Sequence, residues 1–118
     1  MNKKIEEFLV AWKNKYGEDN GNFTDERITE IAVNCMSISS AWLEKVKNIK
    51  NISLRLDLFN KDNIVCESLH GVTKDNLPET IMDILVNKNN NYSKICLSYF
   101  SYSENCKIDK TIGELEIS

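Results

Sequence analysis

In the stretch Asn51-Ile52-Ser53-Leu54-Arg55-Leu56-Asp57-Leu58-Phe59 the hydrophobic period of the chain changes from 3.6 to 2. Ile52, Leu54, Leu56 and Leu58 alternate with Ser53, Arg55, Asp57 and Phe59, the pattern of a strand with one aliphatic face against a core and one face turned away. Asn60-Lys61-Asp62-Asn63 supplies turn residues, and Ile64-Val65-Cys66-Glu67-Ser68-Leu69 resumes in extended style. The two runs therefore read as an antiparallel hairpin.

Before this hairpin the spacing is helical. Ile5, Phe8, Leu9, Trp12 and Tyr16 fall at offsets of three, four and seven, with Lys3, Lys4, Glu6, Glu7, Lys13 and Lys15 on the other side. That is an amphipathic helix ending at Gly17, a left-handed cap, followed by the polar loop Glu18-Asp19-Asn20-Gly21-Asn22. Thr24 is an N-cap, because its hydroxyl accepts from an orphan N–H while Asp25 and Glu26 sit where the helix dipole favours anions. The second helix carries Ile28, Ile31, Ala32, Cys35, Met36, Trp42, Leu43 and Val46 inward. Ser37-Ile38-Ser39-Ser40 within it reads either as a kink or as a break before a third helix capped by Ser39 or Ser40.

After the hairpin, Asp75-Asn76-Leu77-Pro78-Glu79 has the form of a helix start, with Asn76 or Asp75 as cap and Pro78 where its missing N–H costs nothing. Ile81, Ile84 and Leu85 face the core, and Asn87 to Asn91 end the helix in a soft polar loop. Tyr92 to Ser103, rich in aromatic and β-branched residues, is a central or long strand. Ile95, Leu97 and Tyr99 line one face of it, and Cys96, Ser98, Phe100 and Tyr102 the other. Ser103 to Lys110 reads as a polar connection, and Thr111 to Ile117 as a short edge strand blunted by its glutamates. The expected fold is α+β in the order α-α-β-β-α-β-β: N-terminal helices, then a mainly antiparallel sheet of about four strands with one further helix inserted.

Residues 1–118 suffice for one globular domain, since two cores would each fall near the size at which folding alone is marginal. Fifteen basic and eighteen acidic side chains leave a net charge of −3. The electrostatic footprint of a protein that grips duplex nucleic acid is missing. Glu6, Glu7 and Lys13 interrupt the apolar run that a signal peptide needs, and no run approaches the ~20 apolar residues of a membrane span. A cytoplasmic location follows as the expectation. In that compartment Cys35, Cys66, Cys96 and Cys106, with no CxxC pair, are expected as reduced and buried thiols.

Candidate chemistry is sparse. His70, the only histidine, stands at a strand end before Gly71, where it serves either as a base with a nearby carboxylate or as a solvated turn residue. Cys66 and His70 lack the tight paired spacing of a zinc site, and no phosphate loop or nucleophile elbow occurs. The chain is therefore expected to act without catalytic residues, metal or other cofactor. Phe100 and Tyr102 share a strand face, as stacking platforms for single-stranded RNA do, but their flanks are Ser98, Ser101, Ser103 and Glu104 where such platforms carry glycine and basic residues.

Charge patterning is more informative. Residues 17–34 hold Glu18, Asp19, Asp25, Glu26 and Glu30 against Arg27 alone, and residues 104–118 hold Glu104, Asp109, Glu114 and Glu116 against two lysines. Residues 44–61 are net basic, so the surface is expected to be divided by sign. Such a division is either an ordinary solvated surface or a patch that steers a basic partner.

In size, acidic balance and lack of catalytic motifs the chain resembles the small acidic cytoplasmic immunity proteins that neutralise polymorphic bacterial toxins, including those of contact-dependent inhibition systems. That resemblance implies a toxin domain, such as a nuclease, as partner. Its cationic cleft would be covered by Glu18, Asp19, Asp25, Glu26 and Glu30, with Tyr102 and Glu104 contributing from the last hairpin.

Overall fold

In the computed structural model, residues 3–17, 21–88, 91–103 and 106–117 are described, with residues 102, 103, 106 and 107 described by their backbone. They form three helices and four strands in the expected order: α1 (Lys3–Tyr16), α2 (Asp25–Glu44), β1 (Ile52–Phe59), β2 (Val65–Val72), α3 (Leu77–Asn87), β3 (Lys94–Ser103) and β4 (Cys106–Glu116). The strands make one antiparallel sheet in the order β2-β1-β3-β4. The molecule is 20 Å through its shortest axis, the thickness of one sheet and one layer of helices.

Local chemistry accounts for the element boundaries. Gly17 adopts a φ of +96°, a left-handed conformation that ends α1 and that glycine enters without steric cost. The Arg27 N–H donates to Thr24 Oγ1 at 3.1 Å, so the first turn of α2 is capped as its sequence requires. In the β1–β2 turn the side chain of Asn60 accepts from the N–H groups of Asp62 and Ile64, and Asn63 takes a φ of +61°.

Three expectations change, and one left open is decided. The α2 helix runs unbroken through Ser37–Ser40, because Cys35, Ser39, Trp42 and, just past its end, Val46 all face the core and packing overrides the weak propensity of the serines. Asn76 stands at the N-cap of α3 but does not cap it. Its amide instead ties the preceding turn, accepting from Thr73 N–H at 2.7 Å and donating to the Gly71 carbonyl at 3.1 Å. The polar segment after β3 is no long connection, since residues 106–110 already belong to β4, an edge strand whose backbone groups on one side pair with the β3 ladder. Cys66 is exposed, not buried, because it sits on the edge strand β2 where the register with β1 shifts; Cys35 and Cys96 are buried free thiols as expected, and the Cys106 side chain lies outside the described residues.

One cluster of buried side chains draws on all three helices and the sheet, with Trp12, Ile28, Leu56, Leu58, Leu77, Ile81, Met82, Ile84, Ile95 and Leu97 fully enclosed or nearly so. Each such aliphatic or aromatic side chain contributes ~1.5–3 kcal/mol relative to exposure. The period-2 pattern of β1 also pins the sheet register. A one-residue slip would turn Arg55 and Asp57 into this cluster and put Leu54, Leu56 and Leu58 on the other face. No helix among the described residues is long and apolar enough to cross a membrane.

Candidate functional site

Three regions follow from this arrangement: the uncovered face of the sheet, the surroundings of His70, and the acidic start of α2 with the strand end beside it.

On the uncovered face, Arg55 and Asp57 project side by side from β1. The Arg55 guanidinium lies 3.0 Å from the Asp57 carboxylate and 3.4 Å from Asp109 on β4, and Ser68 Oγ on β2 donates to Asp57 at 2.6 Å. Burial opposes the Arg55 charge, and the two carboxylates outweigh it, holding the guanidinium above its ordinary pKa. Asp57 is thereby satisfied although nearly buried. Arg55 also stands 5.1 Å over the Phe100 ring, and Lys94 stands 4.3 Å over Phe59 at the other end of the same face. Phe100 is half-buried beside a cation, as an RNA-stacking face requires. The cations are nonetheless engaged by acids: Arg55 by Asp57 and Asp109, Lys94 by Glu114 at 3.9 Å. Together with Glu116, those carboxylates give the face a charge that repels a phosphate backbone. The side chain of Tyr102 lies outside the described residues.

His70 is exposed on β2 at the rim of two shallow open grooves. One, of about 400 Å³, is shared with Lys15, Tyr16, Ser68, Thr80, Asp83 and Lys88. Lys15 is tied to Glu79 at 2.8 Å, Lys88 approaches Glu67 at 3.9 Å, and Asp83 accepts from Asn87 at 2.7 Å, so the groove is a lattice of paired surface charges. Among the described residues no group of three or more His, Cys, Asp or Glu side chains is placed to hold a metal ion.

Asp25, Glu26 and Glu30 are all exposed on the first two turns of α2. Asp25 and Glu26 sit in the first turn, where the helix dipole stabilises them, and Glu30 pairs with Arg27 at 2.8 Å across one helical turn. Glu18, Asp19 and Glu104 lie outside the described residues. The backbone of Tyr102 is placed, opposite Lys107 near the tip of the β3–β4 hairpin. That position is roughly 26 Å along β3 from Lys94, at ~3.3 Å per residue, and Lys94 pairs with Glu116. Of the residues anticipated from sequence as one binding set, those described are Asp25, Glu26 and Glu30 at the α2 start and the backbone of Tyr102 at the far end of the last hairpin.

What α2 does meet is the other end of β4. Arg27, Ile31, Asn34, Ser37 and Ile38 from α2, Leu85 from α3, and Leu115, Glu116 and Ile117 enclose a groove of about 270 Å³. Its charged lining is Glu116 and Arg27, the latter paired with Glu30. The groove could not be read from sequence, because Leu115 and Ile117 carry only the alternation of a strand and nothing in it names α2 as their neighbour. Gly113 secures this contact. Its α-carbon lies so close to the Trp42 indole that an added Cβ would stand 2.2 Å from Trp42 Nε1.

Fold and site together define an α+β protein with a single-layer helical cover, an ion-paired sheet face and a small, largely apolar groove between α2, α3 and the end of β4. Comparison with protein-family models, with curated proteins and with solved structures found no match to the chain.

Proposed function

We propose that the protein is a non-catalytic binding module of the immunity type, which neutralises a toxin by covering a basic surface with acidic side chains. The observation that carries the reading is the exposed acidic start of α2, where Asp25, Glu26 and Glu30 stand against Arg27 alone, with Glu114 and Glu116 likewise exposed near the end of β4. Carboxylates on a capped helix and a paired strand are held in place before a partner arrives, so little ordering entropy opposes association. Their common sign accelerates encounter with a cationic surface and disfavours anionic ones.

The test is co-expression with a toxin domain encoded beside this chain, followed by binding kinetics on the purified pair. Rescue of growth is expected, together with an association rate that falls as salt rises. The double variant Glu26→Arg with Glu30→Arg should slow association by about tenfold or more. A harmless neighbouring product, or a rate indifferent to both salt and charge reversal, would remove the reading.

A further inference from the structure

The two edges of the sheet are finished differently. Edge strand β2 is broken by two register shifts, and its Gly71 carbonyl already accepts from Asn76 Nδ2 at 3.1 Å. Shifts of this kind spoil the straight row of unpaired groups that another strand needs. Edge strand β4 meets α2 at Ile112 and Gly113, where Lys45 Nζ donates to the Ile112 carbonyl at 3.0 Å and Gly113 lies against Trp42. Before that point, Cys106 to Thr111 pair with β3 in unbroken register, and among the described residues no strand pairs with their outer side. Ile108, on this open stretch, is 38% exposed.

We infer that this stretch pairs with the same stretch of a second copy, antiparallel about a two-fold axis at Ile108, so that the sheets of two copies become one. A row of unpaired backbone groups is completed by an extended backbone, which fixes the kind of occupant. Charge selects which one. In an isologous antiparallel pair the axis stands perpendicular to the sheet, so opposed residues share a face and the central residue opposes its own copy. An axis at Lys107 or Lys110 sets two lysines against each other, and one at Asp109 sets two aspartates together and Ile108 against Lys110. At Ile108 the two isoleucines meet, and Lys107, placed by its backbone, stands opposite Asp109 on both sides of the axis. The alternating charges that blunt this edge against other strands therefore accept one register of the chain with itself. Asp109 is available for it: its side chain is 42% exposed, its contact with Arg55 is 3.4 Å long, and an ionised carboxylate accepts several hydrogen bonds. Asp25, Glu26 and Glu30 take no part, so the pairing stands or falls apart from toxin binding.

A short edge contact belongs to the weak class of interfaces, below ~1,200 Å², so the full chain is followed from about 10 µM to about 1 mM by sedimentation equilibrium and backbone amide resonances. Reversible dimerisation is expected, with the amides of residues 106–110 shifting and gaining protection from hydrogen exchange as concentration rises. An exchange of charges tests the register. Lys107→Asp sets aspartates opposite aspartates and Asp109→Lys sets lysines opposite lysines, so each variant alone should dimerise about tenfold more weakly. Mixed in equal amounts, the two variants set aspartate opposite lysine at both positions and should associate as tightly as the unaltered chain. Melting temperatures report whether each variant is folded, and the concentration series on the unaltered chain needs no variant. A chain that stays monomeric at the highest concentration, or concentration-dependent shifts confined to other residues, would overturn the pairing. Association indifferent to both substitutions, or a mixture no tighter than either variant alone, would overturn the register at Ile108.

Discussion

Replacing Gly113 by alanine should destabilise the protein through one contact. Gly113 sits on β4 opposite Leu97, and a Cβ built there would approach Trp42 Nε1 to 2.2 Å and both Cδ1 and Cε2 to 2.7 Å. No Cβ tolerates such distances, and the obstacle is a rigid indole, 7% exposed, on a twenty-residue helix. Either α2 or β4 must shift. Forced overpacking of this kind costs ~1–3 kcal/mol. With an unfolding entropy of ~2.1 cal/mol/K per residue, a domain of this length has about 0.25 kcal/mol/K, and a 2 kcal/mol loss lowers the melting temperature by about 8 °C. The sign is diagnostic, because Gly113 is not in the left-handed region and Gly→Ala at a compatible site would stabilise by ~0.4–1 kcal/mol through the unfolded chain. Thermal melts followed by circular dichroism should be run on Gly113→Ala alone and together with Trp42→Leu. Once the indole has been replaced, the glycine substitution should become neutral or stabilising. A rise in melting temperature from Gly113→Ala alone, or the same fall in both backgrounds, would refute the argument.

Other consequences are chemical. The Tyr92 hydroxyl donates to Glu67 Oε2, and this hydrogen bond, with burial and the nearby negative charge, pushes the phenol up to about 12. Because the folded state favours the neutral phenol, the stabilisation is fully present below the ordinary tyrosine value of about 10 and is lost as pH rises from there to about 12. Phenolate absorbance should show a late-titrating component that Tyr92→Phe removes and Glu67→Gln returns toward the ordinary value. A native-state thiol titration should find Cys66 fast and Cys35 inert, since burial pushes the Cys35 thiol up to about 12. Cys66→Ser should remove a rapidly reacting group and Cys35→Ser none; rapid modification of Cys35 in the folded protein would contradict its enclosure.

The shift of period at Ile52, the Thr24 cap and the Gly17 stop were legible because each depends on neighbours within a few residues. The same locality explains the misreadings. Ser37–Ser40 look like a break until Cys35, Ser39 and Trp42 are seen to face one core, and Asn76 looks like a cap until Thr73 and Gly71 are found within its reach. Residues 106–110 look like a loop because their strand character comes from the partner β3.

By itself the sequence determined the α+β class, the order of elements, which side of β1 faces inward, and an excess of carboxylates near residues 18–30 and 104–118. All of these follow from periodicity, capping or composition. Tertiary structure alone decided that the β4 end meets α2, that Leu115 and Ile117 share a groove with Ile31 and Ile38, and that Tyr102 lies far along the hairpin from that groove. Sheet order and helix placement set these long-range contacts, because they bring together side chains whose sequence separation carries no pattern.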